Sequence, residues 1–285
     1  MIYIFTAGIL WGTIGLFVSE LNTAGASLQL ICFIRMSFAF LIMSAATLFK
    51  NGPNSLRIDM RTLIICMLLG LVSHGMFNVF YTSSIKFNGM GIASVLLYTA
   101  PVFTALASRM IFQEKLPPQK VFALMLNIAG CILTVTGGEI SSGSLKLTGI
   151  LAGIASGFCY GMAAILGRIA GNKTDALTLS AYSYLAAGIF LLVFMRPDII
   201  PAMHNKRIMS LGFLYGLIPT AGAYMTYYIG LGKVSNISSV PIFASIEPVI
   251  AVIIGTQFYG EKLAFMNYAG IAVVLISIII MVKSE

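Results

Sequence analysis

Charged residues are scarce in this chain of 285 residues. They make up 9% of the sequence, while hydrophobic residues make up 59%. A soluble protein of this length would carry about a quarter charged residues. The mean hydropathy is +0.97, and charge falls in short clusters between long apolar runs, which predicts a protein that crosses a membrane many times. The net charge of +8 forms no run of Lys and Arg, so nucleic-acid binding is not expected.

Residues for metal, redox or nucleophilic chemistry are also few. The four cysteines form no C-x-x-C pair and fall in four different apolar segments, at Cys32, Cys66, Cys131 and Cys159. This spacing indicates neither a metal site nor a redox dithiol. No H-E-x-x-H, G-x-S-x-G or Walker sequence occurs, so we expect no cofactor, no direct use of ATP and no enzyme activity.

Ten apolar stretches have about the 20 residues that a helix needs to cross a bilayer. They lie near 2–20, 28–48, 62–82, 90–112, 119–137, 147–170, 176–195, 208–230, 237–259 and 265–283. Backbone polar groups find no water in lipid, so these stretches must be helical. The first of them follows no basic residue, and a cleaved signal peptide is not expected. The sequence therefore predicts an all-α integral membrane protein.

Two segments of the chain repeat each other. Ala100-Pro101-Val102 with Glu114-Lys115-Leu116 returns 147 residues later as Glu247-Pro248-Val249 with Glu261-Lys262-Leu263. The same register pairs Gly75 with Gly222, Tyr81 with Tyr228 and Lys86 with Lys233. A duplication of hydrophobic helices is the usual construction of a secondary transporter. We place the boundary near Gly143, which gives a first repeat of residues 1–142 and a second of 143–285.

Five helices per repeat is an odd number, so the second repeat should enter the membrane in the opposite sense to the first. The cations of the first repeat favour a cytoplasmic N-terminus, because they gather on the side of the loops after helices 2 and 4. These cations are Lys50, Arg57, Arg61, Arg109, Lys115 and Lys120, against Lys86 and Lys146 on the other side. We expect the protein to lie in the cytoplasmic membrane, with both termini on the cytoplasmic side.

Short motifs give the chain a family resemblance. The pattern P-V-x(11)-E-K-L occurs in both repeats, Leu10-Trp11-Gly12 lies in helix 1, and Phe33-Ile34-Arg35 lies in helix 2. In this order and spacing they resemble the EamA domain, which occurs twice in ten-helix members of the drug/metabolite transporter superfamily. The second copy departs from the first, with Tyr160-Gly161 in place of Trp11-Gly12 and Tyr184 in place of Arg35.

The resemblance implies a central cavity lined by helices 1, 3, 4, 6, 8 and 9. It also implies transport of small metabolites, often export of amino acids or related compounds, commonly coupled to protons or to exchange. The expected partners are a small-molecule substrate and the lipid bilayer, with a monomer or a homodimer both open. A flippase for a lipid or lipid-linked sugar is the alternative, and a membrane-embedded enzyme is less favoured.

Glu247 is the first candidate for the mechanism, since it falls near the middle of helix 9. A carboxylate there must be paired, protonated or exposed to a wet cavity. It could carry a coupling proton or contact a cationic substrate group, or it could be a structural hydrogen-bonding residue. Arg35 in helix 2 could pair with Glu247, bind a substrate carboxylate or serve packing. His74 and Asn78 share one face of helix 3. His74 could be a proton relay or a packing residue, and Asn78 could face the cavity or form a hydrogen bond between helices.

Aromatic residues are the second theme. The candidates for contact with substrate are Trp11 and Tyr160, which correspond in the two repeats, and Tyr98 and Tyr224 on helices 4 and 8. Such rings give broad apolar contact with a polar handle, although they also serve ordinary packing.

Prolines and glycines suggest where helices bend and touch. Pro101 and Pro248 are candidate hinges, because each removes a backbone hydrogen bond. Four glycines at every fourth position of helix 6 predict close helix packing, with a shorter version at Gly8 and Gly12. These four are Gly149, Gly153, Gly157 and Gly161. The Glu-Lys-Leu triplets are interpreted as interfacial anchors and turn-formers.

Overall fold

The computed structural model describes residues 1–138, 145–194, 201–260 and 263–284. Within these ranges the chain is helical and has no strand. Nine of the described helices are long and apolar enough to cross a membrane, and a tenth apolar helix is shorter. In chain order they are α1 Ile2–Thr23, α2 Leu28–Asn51, α3 Met60–Asn88, α4 Ile92–Phe112, α5 Pro118–Thr136, α6 Leu147–Gly171, α7 Ala176–Leu192, α8 Lys206–Leu231, α9 Ile237–Tyr259 and α10 Phe265–Lys283. The prediction of ten membrane helices is confirmed.

Polar side chains start several of these helices. The Asp59 carboxylate accepts a hydrogen bond from the Thr62 amide at 3.1 Å, and hydrogen bonds from the Thr62 hydroxyl and amide lower the pKa of Asp59. The Asn205 amide oxygen likewise accepts from the Arg207 amide at 2.9 Å at the start of α8. Each cap satisfies backbone donors that have no partner within the helix.

The molecule is apolar outside and partly polar inside. Phe49, Val193 and Phe265 are 92%, 78% and 80% exposed, whereas Thr104 and Asn127 are buried. A soluble protein hides large apolar side chains from water, so this reversed arrangement fits a surface in contact with lipid. Many of the buried polar groups bond to one another, as lipid requires. Asn127, for example, donates to the hydroxyls of Ser245 and Ser277.

Several helices are interrupted near their middles. The helix before Ala100 ends at Leu97, leaving Tyr98 and Thr99 as a break in α4. In α9 the break falls at Ser245, between Val240–Ala244 and Ile246–Tyr259. Two π-helical segments occupy corresponding places, Gly70–Met76 in α3 and Gly216–Gly222 in α8. Such segments are rare and concentrate at functional sites.

Two close contacts between helices of different halves follow the same 147-residue register as the motifs. A Cβ atom added to Gly161 would lie 2.8 Å from the carbonyl oxygen of Ala100. One added to Gly12 would lie 3.0 Å from the carbonyl oxygen of Glu247, and Ala100 and Glu247 are partners in the register of 147 residues. The glycines therefore serve close packing of α6 on α4 and of α1 on α9. The predicted boundary near Gly143 lies outside the described residues.

The helix ends sort into two faces. At one of them, called here the N-terminal face, the Lys233 ammonium donates to the Tyr3 hydroxyl at 3.2 Å. The Tyr182 hydroxyl donates to the Leu56 carbonyl there at 2.6 Å. At the opposite face Arg207 and Glu20 form an ion pair at 3.0 Å. These contacts agree with helices that cross alternately between the two faces.

Glu114, in the turn after α4, binds the start of α9. Its carboxylate accepts from the Ile237 amide at 2.5 Å, the Ser238 amide at 3.1 Å and the Ser238 hydroxyl at 2.8 Å. Burial raises the pKa of Glu114, but hydrogen bonds from the Ser108 side chain and from Ile237 and Ser238 outweigh it and leave the pKa below its usual value. The first triplet thus forms an anchor between distant segments of the chain. In the second triplet, Glu261 and Lys262 lie outside the described residues.

We expect Glu114→Gln to lower the free energy of unfolding by about 1 kcal/mol, because hydrogen bonds to a charged acceptor become bonds to a neutral one. A carboxyl group with a lowered pKa stabilises the folded state above its ordinary pKa of 4.5 and loses this effect as pH falls. Melting temperatures of the parent and the variant in detergent should therefore converge at acidic pH. Lys115→Gln is the matched control on an exposed neighbour, and a difference independent of pH would contradict the assignment.

Candidate functional site

A cluster of aromatic rings fills the middle of the molecule. Tyr224, Tyr227 and Tyr228 are spaced so that they share one side of α8, and all three are buried. The ring of Trp11 on α1 lies 4.9 Å from Tyr224 and 5.1 Å from Tyr227, measured between centroids. These distances suit edge-to-face contact between rings. The cluster joins the first helix of one half to the third helix of the other.

Glu247 lies at the edge of this cluster. The Tyr160 hydroxyl on α6 donates to its Oε2 at 3.2 Å, and the Tyr160 ring is 6.1 Å from Trp11. Protein surrounds both side chains, yet both retain some accessible surface. A carboxyl group in the interior that keeps some accessible surface can bind a cationic group or exchange a proton with water.

The break in α9 determines where Glu247 lies. The Ser245 hydroxyl donates to the Ile242 carbonyl at 2.6 Å and accepts from Asn127 of α5, also at 2.6 Å. These bonds satisfy polar groups where the helix is interrupted. Glu247 follows directly, in the first turn of the second segment.

The two prolines follow the breaks and do not coincide with them. Pro101 is in the first turn of Ala100–Phe112, and Pro248 is in the first turn of Ile246–Tyr259. Proline is tolerated in this position because the first amides of a helix have no partner within it. Whether the breaks act as hinges stays a prediction.

His74 and Asn78 have protein partners. His74 lies in the π-helical segment of α3, and its Nε2 is 3.3 Å from the Tyr228 hydroxyl. Its ring centroid is 4.6 Å from that of Tyr224, so it belongs to the aromatic cluster. The Asn78 amide donates to the His74 carbonyl at 2.5 Å and accepts from the Cys32 thiol at 3.1 Å. Asn78 thus joins α3 to α2.

Arg35 bonds to an aromatic residue. Its Nη1 donates to the Tyr215 hydroxyl at 2.9 Å, and its guanidinium carbon lies 5.1 Å from the centroid of the Tyr215 ring. Nε of this buried side chain has no hydrogen-bond partner among the described residues. Arg35 is within electrostatic range of Glu247, but the hydrogen bond to the Glu247 carboxylate comes from Tyr160. The two charges interact across the interior without a direct ion pair in the described part of the chain.

The structure brings most of the candidate residues together. Trp11, Tyr160, Tyr224, Glu247 and His74 form one connected group through the contacts above. Tyr98 is at the break in α4 and within electrostatic range of Glu247. Among the described residues, no group of three or more His, Cys, Asp or Glu could hold a metal ion.

Several members of the cluster were not among the residues predicted from the sequence. Tyr227 and Tyr228 could have been found from their spacing with Tyr224, which places all three on one helix face. Phe77 stacks on Tyr81 at 5.6 Å and lies 5.7 Å from Tyr160. Its position depends on how α3 rotates, and nothing in the sequence gives that rotation.

Tyr160→Phe tests the bond to Glu247 without altering the ring. We expect transport by this variant to fall on the order of tenfold, since a hydrogen bond to a charged group contributes about 1.5–3 kcal/mol. Tyr182→Phe removes a different tyrosine hydroxyl, at the N-terminal face, and should leave transport near the parent level. Uptake into proteoliposomes measures both, and equal rates in parent and Tyr160→Phe would remove this bond from the mechanism.

The chain matches the model of the EamA-like transporter family twice, over residues 1–136 and 147–283. It is 28% identical to an uncharacterized transporter of Archaeoglobus fulgidus, over 96% of this chain and 93% of that one. It is 27% identical to the threonine/homoserine exporter RhtA of Salmonella typhimurium, over 85% and 77%. A solved crystal structure with 18% identity superposes with a TM-score of 0.82 and covers 99% of this chain and 96% of that one. With both halves matched, this multi-pass membrane protein belongs to the EamA-like transporter family.

Proposed function

We propose that this protein is a secondary transporter that exports amino acids or related small amphipathic metabolites across the cytoplasmic membrane. The observation that carries the proposal is a partly accessible carboxyl group, Glu247, beside a cluster of aromatic rings in the interior. Aromatic rings supply apolar contact, hydroxyls orient a ligand, and a carboxylate binds an ammonium group. Substrate contact is assigned to Trp11, Tyr98, Tyr160, Tyr224 and Glu247, with Asn78 supporting the cluster.

Proton coupling is assigned to Glu247. His74 and Arg35 are assigned an electrostatic influence on the protonation of its carboxyl group. A proton and an ammonium group compete for the same carboxylate, so binding of one releases the other. That competition couples export of substrate to entry of protons. Movement of the helix segments around Pro101 and Pro248 then exposes the site to each face in turn.

The arrangement of the chain is proposed as two inverted repeats, residues 1–142 and 143–285. The contacts of Gly12 and Gly161, and the two π-helical segments, support it. Both termini are assigned to the cytoplasm, because cations concentrate at the N-terminal face. At that face are Lys50, Arg57, Arg61, Arg109, Lys115, Lys120, Arg168, Lys173, Lys233 and Lys283.

Flux in proteoliposomes tests the proposal. The first solutes are threonine and homoserine, because a relative is named for their export, followed by a panel of other amino acids. We expect saturable flux that an imposed pH gradient accelerates. Trp11 is the one tryptophan of the chain, so a substrate of the central cluster should also change its fluorescence. Scrambling of lipids without flux of any solute would overturn the proposal in favour of a flippase.

A further inference from the structure

A cleft of about 290 Å³ opens at the N-terminal face and has Tyr228 of the aromatic cluster in its lining. It lies between the end of α6, the start of α7 and the end of α8. Lys233, one of its lining residues, also contacts Tyr3, which fixes the face at which it opens. The volume is close to the lower limit of pockets that bind small molecules.

The charge of the cleft is positive. Arg168 and Lys233 line it, and its acidic lining residue is Asp175. Both Asp175 oxygens are engaged, since Oδ1 accepts from the amides of Leu177 and Thr178 and Oδ2 accepts from the Thr178 hydroxyl at 2.7 Å. Arg168 donates to the Leu231 carbonyl through one nitrogen, and a guanidinium has further donors. The lining thus holds two cations against one carboxylate, and the carboxylate oxygens already have donors, so the net charge of the cleft is positive.

Tyr228 connects the cleft to the central cluster. Its side chain lines the cleft, and its hydroxyl lies 3.3 Å from His74 Nε2. Its ring is 5.8 Å from that of Tyr224. The Tyr228 side chain thus lies between a solute in the cleft and the rings of Tyr224 and His74. Rotation of that side chain would break its bond to His74 and open a path between the two sites.

We propose that the cleft is an anion-binding vestibule, in which Arg168 and Lys233 hold the carboxylate of a small solute and Tyr228 separates it from the central site. The inference rests on the proposed function, because it supplies the carboxylate contact for a solute whose ammonium group goes to Glu247. The same chemistry would accept an acidic lipid headgroup, which the test separates from a soluble carboxylate.

Gly171 is a suitable position for a reporter cysteine in the cleft. A Cβ atom added there would meet only Leu179 Cδ1, at 4.0 Å, so Gly171→Cys places a thiol at the cleft without a clash. The four native cysteines are buried, and the unmodified protein serves as the blank. We compare the labelling rates of two methanethiosulfonates, one with a sulfonate and one with a trimethylammonium group. The two cations should favour the anionic reagent about tenfold.

Charge removal gives the matched comparison. Lys233→Gln in the Gly171→Cys background should lower the preference for the anionic reagent by about threefold, and adding Arg168→Gln should abolish it. Lys173→Gln removes a cation that is outside the lining and should change the preference less. Lys233→Gln alone keeps the test decisive if the Arg168 variant fails to fold. Equal rates for the two reagents in the parent background would overturn the anion site.

Protection identifies the ligand. In nanodiscs of phosphatidylcholine we expect acetate and L-threonine to slow the labelling of Gly171→Cys, and threoninol, which lacks the carboxylate, to have no effect. Protection by phosphatidylglycerol in the disc, with none by acetate or threonine, would assign the site to lipid and overturn the vestibule. Labelling does not depend on transport. If the labelling shows an anion site but no solute is transported, the proposed function is wrong and the anion site stands.

Discussion

Glu247→Gln is expected to abolish accumulation of substrate driven by a pH gradient. The amide keeps the size and the hydrogen bond with Tyr160 but can neither carry a proton nor balance an ammonium group. Glu247 is the acidic residue of the aromatic cluster, so no neighbouring carboxylate replaces it among the described contacts. Proteoliposomes loaded at two pH values measure the effect directly, with the parent protein reconstituted at the same density.

Glu20→Gln is the matched control for this result. It makes the same substitution at the opposite face, where Glu20 pairs with Arg207 at an exposed site. Exposed ion pairs contribute about 0–1 kcal/mol, so flux and stability should both stay near the parent values. If gradient-driven accumulation by Glu247→Gln equals that of the parent, Glu247 is structural and transport proceeds by uniport or exchange.

Gly12→Ala and Gly161→Ala should each destabilise the protein by about 1–3 kcal/mol, the usual effect of inserting a methyl group into a packed interior. In both places the new Cβ would approach a backbone carbonyl, and at Gly12 it would also lie 2.5 Å from Ile250 Cβ. A backbone atom cannot rotate away as a side chain can. Chemical or thermal unfolding in detergent measures the loss.

Gly188→Ala is the control for these two substitutions. It lies within α7, and an added Cβ would meet no atom within 4 Å. Alanine stabilises a helix relative to glycine by roughly 0.5–1 kcal/mol, so this variant should be as stable as the parent or more so. If all three variants lose stability, the loss comes from placing alanine in these helices and not from a clash of the new methyl group with a neighbouring helix.

Sequence patterns were sufficient for the fold because lipid permits few alternatives. Each run of about 20 apolar residues had to be a helix, and the repeat relates Trp11 to Tyr160 by sequence alone. The partners of Arg35 and His74 could not be predicted in this way. They are Tyr215 and Tyr228, both on α8, and reaching them depends on helix rotations that the π-helical segments modify.

The role of Glu114 illustrates the same limit. Its triplet was recognisable as one copy of a repeated motif, and a turn was the natural interpretation. The bond to the start of α9 joins residues 123 positions apart in the chain. No local pattern specifies such a contact, because it depends on how the two halves pack.

The packing of α1 has a consequence for biosynthesis. Its glycines contact α9, and Ile4 packs on Gly230 of α8, so its partners are made more than 200 residues after it. At a synthesis rate of roughly 5–20 residues per second, α1 waits in the bilayer for tens of seconds with its glycine-containing packing side unoccupied. Neither half completes its interior alone, and a ribosome that stops after α5 leaves an unfinished protein that membrane quality control can recognise.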